Sequence, residues 1–460
     1  MDPRIDAYFQ QHRERHLAEL ISFLRIPSIS AVPAHRSDVV GAAEWVADQL
    51  RGVGIRNVVI HETPGHPIVV GSWLEAPNAP TILVYGHYDV QPPDPLEKWV
   101  SPPFEPDFRE GRLYARGVSD DKGPMFQAIK AAEAWFALTD RLPLNIKFLV
   151  EGEEEVSSPN LRPFVEAHGD LLAADLVVSA DGAMWRATEP SITIAGRGIC
   201  GLQVDLQTAR TDLHSGRYGG GVPNALHALA ELITTLHTPD GRVAVDGFYD
   251  QVRTLSAEER SQFAALPFDE EAYRRDLELT ALTGEAGFST LERLWARPTL
   301  DVNGMWGGYQ GEGKKTVIPC EAHAKITCRL VAEQQPAEIL AAVEAHLHRH
   351  TPEGARLTVV QHQGGSLPYQ MPSDLPALKA AGEVLADVMG ARPVFVRMGG
   401  TLPAAEVFQT ALGAYTLFFS FSAADEQYHA PNEFFRMDRF DAGLRAWATL
   451  WQRIANQEAL

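Results

Sequence analysis

Ile82-Leu-Val-Tyr-Gly-His-Tyr-Asp-Val90 runs apolar up to Gly86 and then turns polar at once, at His87, Tyr88 and Asp89, with Pro92 and Pro93 close behind. An unbroken apolar run of this length reads as a strand buried on both faces of an α/β sheet. In such sheets ligands sit just beyond the carboxyl ends of the strands, so polar groups placed there are first candidates for a site. Alternation along a strand puts His87 and Asp89 on one face. From there Asp89 can orient a metal-holding imidazole. A lone strand-end histidine would be equally well explained by a hydrogen bond to a turn. Recurrence decides against that plainer reading, because carboxylates and a second histidine follow at matching positions downstream.

Val118-Ser-Asp-Asp-Lys-Gly123 brings Asp120 and Asp121 to the start of a helix expected over Lys122–Leu138. Acids are favoured at a helix N-terminus on dipole grounds alone. A strand expected over Asn145–Val150 runs straight into Glu151-Gly-Glu-Glu-Glu155, where three adjacent carboxylates repel one another and need a compensator. Leu176–Ser179 reads as another strand and delivers Asp181, and His429 lies in Gln427-Tyr-His-Ala-Pro-Asn-Glu433. Singly, these read as an acidic turn, a turn aspartate and a loop histidine. Together they form a set of nitrogen and oxygen donors suited to two divalent cations.

The rest of the chain fits an α/β domain interrupted by an insertion. Helices are expected over Asp6–Leu24 and from after Ser37 to Leu50, and strands over Asn57–His61, Ile68–Trp73 and Thr81–Tyr85. From about Gly198 the rhythm changes. A strand over Gly201–Leu206, a helix over Asn224–Leu236, a long irregular stretch to Pro298, a strand over Lys325–Val331, a helix over Ala337–His350 and a strand over Arg356–His362 suggest a small α+β layer. After Gly364, Gly365 and Pro368 the α/β rhythm returns, with helices over Leu375–Met389 and Asp438–Asn456 and strands over Pro393–Arg397 and Tyr415–Ser420. The expected division is a discontinuous catalytic domain of residues 1–197 and 366–460 and an inserted domain of residues 198–365.

Composition excludes several classes. At 460 residues the chain is long for one core and suggests two domains. A net charge of −20 argues against nucleic-acid binding, which needs a basic face. No apolar run is long enough to span a bilayer, and Met1-Asp-Pro-Arg-Ile-Asp shows no apolar signal core. The three cysteines, Cys200, Cys320 and Cys328, form no C-x-x-C pair, so a cytoplasmic setting without a disulfide framework is expected.

Gly86-His-Tyr-Asp89, Gly117-Val-Ser-Asp-Asp-Lys-Gly123, Glu151-Gly-Glu-Glu-Glu155, Ser179-Ala-Asp-Gly182, Asp212-Leu-His-Ser-Gly216 and His429-Ala-Pro-Asn-Glu433 resemble the M20 metallopeptidases. Within these, the likeness is to the carnosinase-like cytosolic dipeptidases, and it covers essentially the whole chain. The resemblance implies a di-metal α/β catalytic domain and an inserted α+β lid that also forms a homodimer. Carried over position by position, it implies that Asp120 bridges two metals. His87 and Asp181 would complete one site, Glu155 and His429 the other. Glu154 would be the general base, with Glu153 outside the pair, and Asp89 would orient His87. A shared carboxylate suits the roughly 3.5–4 Å separation of two-metal hydrolysis.

In the lid the resemblance implies that His214 stabilises the oxyanion in the partner subunit's site and that Arg329 grips the substrate carboxylate. Asn303, Gly400 and Thr401 would make further substrate contacts, although threonine stands at 401 where serine is expected. The implied cofactors are two divalent ions per subunit, zinc or manganese, with cobalt also compatible. The implied substrate is a small peptide with a free C-terminus. The alternative on the same scaffold is an N-acyl amino acid deacylase or carboxypeptidase. Asp181 favours peptides, since the deacylase and carboxypeptidase-like members tend to carry glutamate there.

Overall fold

A computed structural model describes residues 2–362 and 364–457. The chain forms two compact units. The first comprises Met1–Ile194, Met371–Val396 and Val407–Leu460; the second comprises Ala195–Gln370 and Arg397–Glu406. The insertion was expected at 198–365, and the second unit here also takes in Arg397–Glu406.

The first unit is built on a six-stranded sheet in the order Arg56–His61, Ile68–Trp73, Asn145–Glu151, Thr81–His87, Leu176–Ser179, Thr416–Phe418. The last four strands run parallel, and Ile68–Trp73 joins them antiparallel. Ile82, Leu83, Val84 and Tyr85 are buried on both faces, as are Ile146, Phe148, Leu149 and Val150. Continuous apolar runs are what a covered parallel sheet demands. The unit's long helices are Pro3–Leu24, Arg36–Val53, Lys122–Thr139, Pro376–Met389 and Met437–Ala455. The last buries Phe440, Leu444, Trp447, Trp451 and Ile454 at helical spacing. It crosses Lys122–Thr139 so closely that a Cβ on Gly443 would lie 2.3 Å from the Gln127 side chain. The Gln127 amide instead donates to the carbonyls of Arg439 and Phe440.

In the second unit four antiparallel strands lie in the order Thr299–Gly307, Glu321–Leu330, Gly198–Gln207, Arg356–Gln361. Helices Ala225–Thr234 and Pro336–Arg349 share a core with them, through Leu229, Leu232, Val343 and Leu347 against Val204, Leu206, Ile326 and Leu330. The stretch read as irregular holds three short helices, Ala257–Ala265, Glu270–Asp276 and Thr290–Trp295. Two of them start with capping boxes, Ser256 with Glu259 and Ser289 with Glu292.

Candidate metal centre

Parallel strands end along one edge, and here that edge gathers the acids. His87 is in register with Glu151, and Tyr85 with Ser179. The residues just past three adjacent strands, Asp89, Gly152–Glu155 and Asp181, therefore emerge side by side. Two glycines permit the crowding. A Cβ on Gly86 would lie 2.6 Å from Asp121 Oδ2, and one on Gly152 would lie 2.5 Å from the Tyr88 hydroxyl.

Asp120 stands between two histidines. His87 Nε2 lies 3.0 Å from its Oδ1, and His429 Nε2 lies 2.9 Å from its Oδ2. His429 Nε2 is also 3.0 Å from Glu155 Oε2. Donor atoms of His87, Asp120 and Asp181 lie within 4.8 Å of one another, and so do those of Asp120, Glu155 and His429. The two groups share Asp120. Each offers one imidazole nitrogen and two carboxylate oxygens, a hard, oxygen-rich set that fits a divalent cation.

A buried scaffold fixes these side chains. His87 Nδ1 lies 3.1 Å from the Asp89 carbonyl oxygen and 3.4 Å from its carboxylate, which leaves Nε2 to face Asp120. The same Asp89 carboxylate accepts from the main-chain N–H groups of Glu154, at 3.2 Å, and Glu155, at 3.1 Å. One acid thus sets both an imidazole and the turn that carries the next two candidates. Gln91 Nε2 donates to Glu155 Oε2 at 2.9 Å. Glu153 is turned elsewhere, accepting from His66 N at 3.0 Å and Asn160 Nδ2 at 2.7 Å.

The Asp120–Asp121 peptide is cis, and the loop around it is clamped by Glu433. That buried carboxylate accepts from Arg116 Nη1 at 2.7 Å, Gly117 N and Ser119 N at 2.9 Å, and Asp120 N at 3.2 Å. Glu426 holds the Ser119 hydroxyl at 2.7 Å. Buried Lys122 donates to the carbonyls of Phe23 and Ile26, and burial pulls its ammonium down to about 7. Sequence reasoning gave Glu433, Gln91 and Arg116 no role. Glu433 sits inside a motif singled out for its histidine, but no spacing signals that its partner is 317 residues away.

The charges of the cluster oppose one another strongly. Burial pushes Glu154 far above the ordinary carboxylate range; Asp181, Asp120 and Glu155 add to the shift, and His87 works against it. Burial likewise lifts Asp181 to about 6. Burial also disfavours a charged His87, but hydrogen bonds to Asp120 and Asp89 outweigh it and raise the imidazole well above its usual value. Hydrogen bonds to Asp120 and Glu155 push His429 up to about 10. Burial favours a neutral Asp120, yet the two histidines hold it below the usual range. Such a pile of carboxylates, offset only by two imidazoles, is an environment in which bound cations relieve repulsion rather than create it.

The remaining expected residues all belong to the second unit. His214 is exposed at the end of the short strand Leu213–His214, and its Nδ1 accepts from Gly216 N at 3.0 Å. In the neutral ring that makes Nε2 the donor nitrogen. Arg329 lies on Glu321–Leu330, on the face opposite buried Ile326, Cys328 and Leu330. Asn303 is exposed on Thr299–Gly307, and Gly400 and Thr401 follow the strand Val394–Met398.

Comparison with known proteins is consistent along the chain. The family model described as Peptidase family M20/M25/M40 matches residues 83–453, and the chain belongs to that family. The Beta-Ala-His dipeptidase of Homo sapiens is 29% identical over 472 residues, covering 98% of this chain and 92% of that protein. The Cys-Gly metallodipeptidase of Schizosaccharomyces pombe is 28% identical over 459 residues, covering 96% of each. The solved M20 family metallo-carboxypeptidase of Sulfolobus solfataricus superposes with a TM-score of 0.78 at 30% identity, covering 96% of this chain and 99% of that one. Among the described residues no helix is long and apolar enough to cross a membrane.

Proposed function

From membership in the M20 peptidases we infer that this chain is a di-metal dipeptidase, hydrolysing the peptide bond of dipeptides or short peptides that end in a free carboxylate. The observation that carries the reading is Asp120, with one oxygen toward His87 and the other toward His429. The dipeptidase names of the relatives at 29% and 28% identity point the same way.

His87, Asp120 and Asp181 would hold one cation, and Asp120, Glu155 and His429 the other; zinc, manganese and cobalt all suit these donors. When bound, the cations polarise the scissile carbonyl and acidify the attacking water. Glu154 is the base. Burial and the neighbouring acids make its carboxyl resist ionising, a resistance that bound cations would offset. Its carboxylate then takes a proton from the attacking water and returns it to the departing amine nitrogen. Asp89 keeps His87 in the orientation that presents Nε2 and holds the Glu154–Glu155 turn by its main chain. Arg329 offers a guanidinium fork to the substrate's terminal carboxylate. Asn303, Gly400 and Thr401 line the same substrate. His214, with Nε2 as donor, stabilises the oxyanion in the site of a partner subunit, so the working unit is a homodimer.

A second reading, carboxypeptidase, has a counterpart in the name of the Sulfolobus solfataricus enzyme, but the dipeptidase names of the relatives and Asp181 favour the first. The test compares kcat/KM on dipeptides with longer peptides and with N-acetyl amino acids of the same C-terminal residue. Dipeptides are expected to be fastest. Faster release of the C-terminal residue from longer peptides would establish the carboxypeptidase, and faster cleavage of the acetyl compounds a deacylase.

A further inference from the structure

Arg197 joins the strands Ser191–Gly196 and Gly198–Gln207, and its contacts converge on one turn. Its main-chain N–H donates to the Gly400 carbonyl at 2.8 Å. Its side-chain Nε donates to the Gly399 carbonyl at 2.9 Å, and Nη1 reaches the Arg297 carbonyl at 3.4 Å. A single residue thus holds both glycine carbonyls of Gly399-Gly400-Thr401. The surrounding glycines belong to the same arrangement. A Cβ on Gly399 would lie 3.3 Å from Arg197 Nη2 and 3.2 Å from the Leu294 carbonyl. A Cβ on Gly196 would lie 2.6 Å from Leu402 Cγ and 3.2 Å from the Gly400 carbonyl.

These partners of the guanidinium are carbonyls, which accept its protons without neutralising its charge. Burial pulls Arg197 down to about 10 and the like charge of Arg329 adds to the shift, while Asp301 opposes it. Arg197 therefore stays charged at neutral pH beside a second arginine. Arg329 stands in register with Ile199, two residues along the chain from Arg197, and two like charges brought this close are stabilised when an anion arrives.

We propose that Arg197 is a positioning residue for the substrate's C-terminal carboxylate: it fixes the Gly399-Gly400-Thr401 turn and adds its charge to that of Arg329, so that substrates ending in an anion are selected. This rests on the dipeptidase reading and on the carboxylate role of Arg329. A residue that merely braced the fold would weaken acid and amide substrates alike, whereas one acting on the carboxylate separates them.

The test measures kcat and KM for a dipeptide and its C-terminal amide with wild type, Arg197→Ala, Arg197→Lys, Gly399→Ala and Arg329→Ala. Arg197→Ala should raise KM for the free acid about tenfold or more, with kcat and the amide's KM changed less than about threefold. Arg197→Lys keeps the charge but not the fork and should recover part of the loss. Gly399→Ala keeps the charge but crowds Nη2, and should raise KM for the acid selectively; it decides the matter if Arg197→Ala does not fold. An acid-selective loss in Arg329→Ala, with none in Arg197→Ala or Gly399→Ala, overturns the role of Arg197 and leaves the dipeptidase reading intact. No acid-selective loss in Arg329→Ala overturns the carboxylate role of Arg329, and the Arg197 proposal with it.

Discussion

Replacing Glu433 with alanine removes a side chain that touches no substrate, and it should still disable the centre. Its two oxygens take one guanidinium donor from Arg116 and the main-chain N–H groups of Gly117, Ser119 and Asp120. Arg116 and Glu433 are each 1% exposed, so solvent cannot substitute for the lost acid without entering the core. Removing one partner of a buried ion pair costs about 3–5 kcal/mol, because the other charge is left uncompensated. Each buried N–H left without an acceptor adds about 1–3 kcal/mol unless water reaches it, and the space vacated by the side chain admits some. A net loss of about 3–5 kcal/mol is therefore expected, concentrated in the loop that carries Asp120. Hydrogen exchange of the peptide spanning Gly117 to Asp120 reads it directly, as roughly 10²–10⁴-fold faster exchange. Metal affinity, measured by competition with a chromogenic chelator, should fall about 10–100-fold. Arg116→Met added to Glu433→Ala removes the orphaned charge and should restore much of the stability while the loop stays loose. Unchanged exchange and unchanged metal affinity in Glu433→Ala would refute the argument that this carboxylate holds the loop.

Three further outcomes separate the roles assigned to individual residues. Glu155→Ala should lose metal, whereas Glu154→Gln should keep it and lose about 10²–10⁴ in kcat; an active Glu154→Gln contradicts the base assignment. Co-expressed His214→Ala and Glu154→Ala chains should regain roughly a quarter of wild-type activity, since about half the dimers are mixed and each of those has one complete site in two. No recovery, with mixed dimers confirmed by mass, would place His214 in its own chain's site. The third concerns Glu133, which accepts from the Tyr8 hydroxyl at 2.6 Å and Lys130 Nζ at 2.9 Å and lies 3.1 Å from His16 Nε2. Burial alone would raise this carboxyl, but His16 and Arg15 hold it far below the usual range. A depressed carboxyl stabilises fully above its unfolded value, about 4.3, and that stability is lost as pH falls below it. Urea unfolding at pH 7 should find Glu133→Gln weaker than wild type, and the gap should start to narrow below about pH 5 and go on narrowing as pH falls toward the carboxyl's own, far lower folded value. A gap independent of pH would mean that the charge of Glu133 is not what stabilises.

The centre was legible because it lies where apolar runs end. Thr81–His87, Asn145–Glu151 and Leu176–Ser179 are each a block of buried residues that turns polar at its carboxyl end, and a parallel sheet must bring those ends together. Thr299–Gly307 was hidden for the opposite reason. Asp301, Asn303 and Met305 are exposed, and a register shift between Val302 and Gly304 breaks the alternation that marks a strand. The helix Ala257–Ala265 buries only Phe263, so it has almost no apolar stripe to find, although its capping box at Ser256 and Glu259 was a readable start signal. Arg197 and Glu433 were missed for a third reason. Their partners are main-chain groups or residues hundreds of positions away, and neither leaves a pattern in residue types.

Metal reconstitution tests most directly whether two cations share Asp120. The chain is stripped with a strong chelator, manganese, zinc or cobalt is titrated back, and bound metal and dipeptide hydrolysis are followed together. The stripped chain should be inactive, activity should saturate at two ions per chain, and Asp120→Asn should lower the occupancy of both sites at once. Full dipeptide hydrolysis by a chain shown to be metal-free, in the continued presence of the chelator, would contradict the account.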